Sequence, residues 1–145
     1  MHNCRVKGIS FLLMRVLLSG IFFIAGINHL LFTEKITGRL AQATFREFAI
    51  FFGPPETLVM LSGMAMLIGG ASLLMGFLTR WAAIGLILIV VPITITIQVG
   101  QWATAGPLFK NVAILGGLLF FALNGSVRYG LDQVLFNPQK TAHHE

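Results

Sequence analysis

Charge is scarce in this 145-residue chain: Asp, Glu, Lys and Arg make up 10% of it, against about a quarter in ordinary soluble domains. Cysteine is nearly absent, with Cys4 alone, so no intrachain disulfide can form. Nor does any Cys/His cluster stand at metal-ligand spacing, and the terminal His143 and His144 have no third ligand near them in sequence. The apolar runs hold no paired carboxylates, no Gly-rich phosphate loop, no nucleophile elbow and no histidine pair that could hold haem between facing helices. A self-contained enzyme is therefore not expected.

What fills the chain is hydrophobic: 56% of residues, with a mean hydropathy of +0.84. That composition predicts an integral membrane protein, with length for about four spans of about 20 residues in a single domain covering 1–145. The net charge of +5 and pI of about 10.2 would point to nucleic acid in a soluble protein. Here the basic residues flank apolar segments, so lipid headgroups and topology explain them and nucleic acid is not an expected partner.

The first run, 9–32, is apolar yet carries Arg15, Asn28 and His29. Arg5 and Lys7 precede it as in a signal peptide, but its length and the lack of a small-x-small cleavage site predict a retained first span. On a helix, Arg15, Ser19, Phe22, Gly26 and His29 recur at steps of four and three and form one stripe, which must face protein, water or headgroups. Between 33 and 56 the chain turns polar but stays amphipathic. Leu40, Ala41, Phe45, Phe48, Phe51 and Phe52 share one arc, opposite Arg39, Gln42 and Arg46. This predicts one helix lying in the membrane interface, ended by Gly53, Pro54 and Pro55, with Glu56 and Thr57 as caps for the next span.

Spans two, three and four are expected at 58–77, 81–99 and 108–123. Span two has no charge and is rich in small residues; Gly69, Gly70 and Gly76, with Gly26 of span one, are expected to pack helices closely. Trp81 suits an interfacial anchor, Pro92 should kink span three, and Thr94, Gln98 and Gln101 form a polar stripe beyond it. Counting Lys and Arg gives six on the side of the termini and the Arg80 turn against four on the other, which places both termini in the cytoplasm.

Each polar feature admits two readings. Arg15 suits an anionic headgroup, a quinone oxygen or a partner carboxylate, and equally an anchor whose side chain reaches the interface, the commoner role. His29 with Asn28 suits a ligand or proton-linked role, or a hydrogen-bonded pair closing the outer end of the bundle. Thr94, Gln98 and Gln101 suit a small polar headgroup, or interhelical hydrogen bonds, while Asn111 bonds a neighbouring helix, caps its own or binds a ligand.

Three ordered segments, LLMRVLLSGIFFIAGINHL, LSGMAMLIGGASLLMGFLTRWAAI and KNVAILGGLLFFALNGSVRYGLD, resemble the DoxX family of small four-span bacterial membrane proteins. The likeness runs from about Ile9 to Asp132, and the order of Arg15, Gly26, Gly69-Gly70, Gly76, Thr79-Arg80, Asn111 and Asp132 carries it. Family members commonly have a Glu before the paired glycines where this chain has Met66, and many have a lysine where it has His29. Best-described relatives are membrane subunits of redox assemblies, among them thiosulfate:quinone oxidoreductase. The resemblance implies an all-α bundle of four transmembrane helices with an interfacial amphipathic helix, in a bacterial cytoplasmic membrane. It also implies an accessory subunit of a quinone-linked complex, in contact with lipid and with a redox partner subunit or a second copy. No intrinsic cofactor is expected beyond a bound quinone. A scaffold or small-solute transport-like protein without redox chemistry is the alternative.

Overall fold

Gly8–Leu31 forms a 24-residue helix, α1, of about 36 Å, long enough to cross a hydrocarbon core. In this computed structural model, which describes residues 8–99, 104–126 and 130–132, every element is helical. The others are α2 (Thr33–Ala41), α3 (Arg46–Ile50), α4 (Pro55–Met75), α5 (Thr79–Gln98) and α6 (Ala105–Asn124). Helices α1, α4, α5 and α6 are long and apolar enough to span a membrane, giving the expected four-span, all-α bundle.

Helix α1 turns Arg15, Leu18, Ser19, Phe22 and Gly26 inward. Leu17, Ile24 and Leu31, one heptad apart, are exposed on its other side, where acyl chains supply the contact that water would deny them. The stripe read from the sequence is thus the buried face, and α1 packs chiefly on α4 while α5 packs on α6. Phe22, Leu73, Leu86, Leu118 and Phe121 fill the centre.

The start of α4 and the form of the interfacial segment differ from expectation. Helix α4 begins at Pro55, with Pro54 as its N-cap residue and no side-chain cap, so neither Glu56 nor Thr57 caps it. Proline fits the first turn because the N–H it lacks would have no helical partner there. The interfacial segment is two short helices, broken between Gln42 and Phe45. That turn lets Leu40 and Ala43 bury while α2 lies against α4 and α3 against α5, which one straight helix could not do.

Candidate functional site

The stripe of α1 serves two separate places about 21 Å apart, since fourteen residues at about 1.5 Å each separate Arg15 from His29. At the Arg15 end, the arginine is only 3% exposed. Its Nη1 donates to Ser126 Oγ at 2.9 Å, in the segment that follows α6. It also feels the Asp132 carboxylate, which supplies nearby negative charge although position 66 holds a methionine. Arg15 therefore does not snorkel to an open interface; the returning chain covers it.

Asp132 is held at the same place by the α4–α5 turn. Its carboxylate accepts from Leu78 N–H at 2.6 Å, Thr79 N–H at 3.0 Å and Thr79 Oγ1 at 2.8 Å. Its own N–H donates to the Gly76 carbonyl at 2.9 Å. Helix α5 starts with Leu78 in a left-handed conformation and no local side-chain cap, so the cap arrives from 53 residues downstream. Gly76 ends α4 at φ 66°, and a methyl group on it would strike Arg15 Nη1 and Gly130 Cα. Sequence reasoning placed Gly76, Thr79 and Asp132 in one ordered pattern but did not see that they touch. The usable signal was a helix beginning Leu78-Thr79-Arg80 with no capping residue of its own before Thr79.

At the other end, α1 and α4 cross at their closest. A Cβ on Gly26 would lie 2.9 Å from the Gly63 carbonyl oxygen, and one on Gly63 would lie 2.9 Å from His29 Cβ. Gly70 meets Phe22 and Gly69 meets Leu86 in the same manner. This approach brings His29 Nδ1 to 2.8 Å from Ser62 Oγ, which in turn donates to the Val59 carbonyl at 2.8 Å. Asn28, the next residue along α1, is exposed and is not the partner of His29, because successive helical residues point about 100° apart.

His29 and Ser62 border a cavity of about 400 Å³ between α4 and α5, covered by α2 and α3. Its walls are almost entirely apolar: Leu40, Phe48, Phe52, Val59, Ala65, Leu88 and Pro92 among them. Phe48 and Phe52 stack edge to face at the rim, with ring centroids 5.4 Å apart. Thr96 adds a hydroxyl. A smaller hollow of about 250 Å³ between α2 and α3, beside Arg46 and Glu47, involves none of the stripe residues.

The remaining polar residues lie elsewhere. Asn111 Nδ2 donates to Thr94 Oγ1 at 2.8 Å and Thr94 donates to the Val90 carbonyl at 2.6 Å, a buried tie between α6 and α5. Gln98 does not line the cavity; its side-chain oxygen is buried and meets no partner among the described residues. Gln101 lies outside the described residues. Among those residues no three His, Cys, Asp or Glu side chains gather as a metal site would need.

The DoxX family model matches residues 10–99, more than half of the chain. The chain belongs to the DoxX family. With four apolar helices of spanning length, this DoxX protein is an integral, multi-pass membrane protein. The match takes in α1 to α5 and stops before α6, so Asn111 and Asp132 stand outside the part of the likeness that the family model covers. No curated protein and no solved structure matches the chain.

Proposed function

We propose that this DoxX protein is an accessory subunit of a quinone-linked redox assembly in a bacterial cytoplasmic membrane, and that the cavity beside His29 is where it receives the quinone. The observation carrying this reading is the roughly 400 Å³ apolar cavity with a histidine on its wall. A volume of that order suits a ring and the first part of an isoprenoid tail, with Phe48, Phe52 and Leu88 against the hydrocarbon. His29, Ser62 and Thr96 supply the few polar groups that orient a headgroup. When bound, the quinone would supply the electron-carrying chemistry. The chain's own part would be to hold and orient it. Arg15 takes no part in this site; it belongs to the opposite end of α1.

The test is mass spectrometry of organic extracts from protein purified in mild detergent, comparing the native chain with Ala65→Phe, which fills the cavity, at equal folded yield. Near-stoichiometric quinone in the native chain alone is expected. Matching extracts would sink the reading.

The scaffold alternative has its own support in the Arg15–Ser126 and Thr94–Asn111 hydrogen bonds, which tie helices and chain ends without facing the cavity. It predicts no quinone in either extract.

A further inference from the structure

The orientation of the His29 ring follows from a count of protons. Ser62 has one hydroxyl proton, and it goes to the Val59 carbonyl. The short contact between Ser62 Oγ and His29 Nδ1 must then be made by an imidazole N–H, with the serine oxygen accepting. A neutral imidazole carries one such proton. Its other nitrogen, Nε2, is left as a bare lone pair. His29 lines the cavity, and with Nδ1 engaged by Ser62 beside the Val59 carbonyl, Nε2 is the ring nitrogen left for an occupant.

The opposite wall has a related property. Pro92 lies within α5 and has no N–H, so the Leu88 carbonyl lacks its helical donor. Both residues line the cavity. Of the remaining polar groups, the Ser62 proton is committed and the Thr96 hydroxyl can serve either as donor or as acceptor. The cavity is thus supplied with an acceptor at His29 and short of donors.

We infer that the cavity selects an occupant that donates a hydroxyl proton to Nε2 of His29, and so binds a quinol in preference to its quinone. This rests on the quinone-linked reading above. A quinone ring offers only acceptor oxygens; placed here, its carbonyl would meet the Nε2 lone pair with both desolvated and neither satisfied, the costlier side of the hydrogen-bond balance. A quinol presents two O–H groups. Ser62 acts as a positioning residue, holding the tautomer from the far side of the ring.

The experiment is calorimetric titration of the full chain in phospholipid nanodiscs, under anaerobic conditions at about pH 8.5, where an ordinary imidazole is neutral. Three probes are used: a decyl-substituted benzoquinol, the matching benzoquinone, and the bis-methyl ether of the quinol. The quinol is expected to bind about tenfold more tightly than either of the others, one hydrogen bond's worth in an apolar site. That ratio would raise the two-electron midpoint potential of the bound couple by about 30 mV. His29→Leu should bind quinol and quinone alike. Ser62→Ala, which leaves the imidazole in place and guards against a His29 variant that does not fold, should narrow the ratio to about threefold or less.

Equal binding of quinol and quinone, tighter binding of the quinone, or an ether as good as the quinol would overturn the donor inference while leaving a quinone site standing. So would an undiminished ratio in a folded Ser62→Ala. If none of the three probes binds, the quinone-linked reading falls with it.

Discussion

Asp132 caps helix α5 through Thr79, taking a hydrogen bond from its backbone N–H at 3.0 Å and another from its hydroxyl at 2.8 Å. The two residues are 53 positions apart, so Asp132, in the chain beyond α6, is fastened to the α4–α5 turn by a helix cap. Carboxylates at helix N-termini gain from the orphan N–H groups and from the helix dipole together. Asp132→Ala should therefore cost about 1–2 kcal/mol, seen as a lowered midpoint in thermal unfolding in detergent. Thr79→Val, which removes one of the bonds and keeps the backbone donors, should cost less, and the double variant should fall short of the sum.

Arg15 closes the same junction from within. Its contact with Ser126 and its proximity to Asp132 hold the returning segment over the end of α1. With Arg15→Ala, that segment should detach more often. The thermal-unfolding midpoint in detergent should fall by the equivalent of about 1.5 kcal/mol, the effect of losing one charge-assisted hydrogen bond, while any quinone that co-purifies with a folded sample stays as it was. A loss of quinone with no change in the midpoint would show that Arg15 reaches the cavity instead.

Gly26 and Gly63 set the spacing of α1 and α4. Either one changed to Ala would force the helices apart at the level of His29, since each new Cβ would sit at 2.9 Å from an atom of the facing helix. A destabilisation of about 1–3 kcal/mol is expected from overpacking. Gly85→Ala provides the contrast. Nothing stands within 4 Å of the added methyl, so this change in α5 should be neutral or should stabilise by about 0.5–1 kcal/mol. Thermal unfolding of the three variants side by side checks both signs.

Thr94 and Asn111 join α5 to α6 in the buried interior. Interhelical hydrogen bonds in membranes are modest because the unfolded helices find other partners in lipid. A double-mutant cycle with Thr94→Val and Asn111→Leu should accordingly return a coupling of about 0.6 kcal/mol. Binding of any cavity ligand should be unaffected, as neither residue lines the cavity.

The four spans, the apolar outward face of α1 and the inward stripe from Arg15 to His29 were all determined by the sequence alone. Each depends on length, hydropathy and a helical period, which are properties of neighbouring residues. The small residues were legible for the same reason: in lipid, close approach is what Gly26, Gly69 and Gly70 are for. Tertiary structure decided the rest. Which side chain meets Arg15 depends on how a chain end folds back across the bundle, and no periodicity encodes Ser126 or Asp132 as its neighbours. The partner of His29 is Ser62 and not the adjacent Asn28, because consecutive residues diverge on a helix while the Gly26–Gly63 crossing brings α4 into reach. The cavity exists only because two short helices, where the sequence implied one, lay Leu40 and Phe48 over the gap between α4 and α5. A local pattern determines which face of a helix is buried; only the packing of several helices determines what it is buried against, and whether space is left between them.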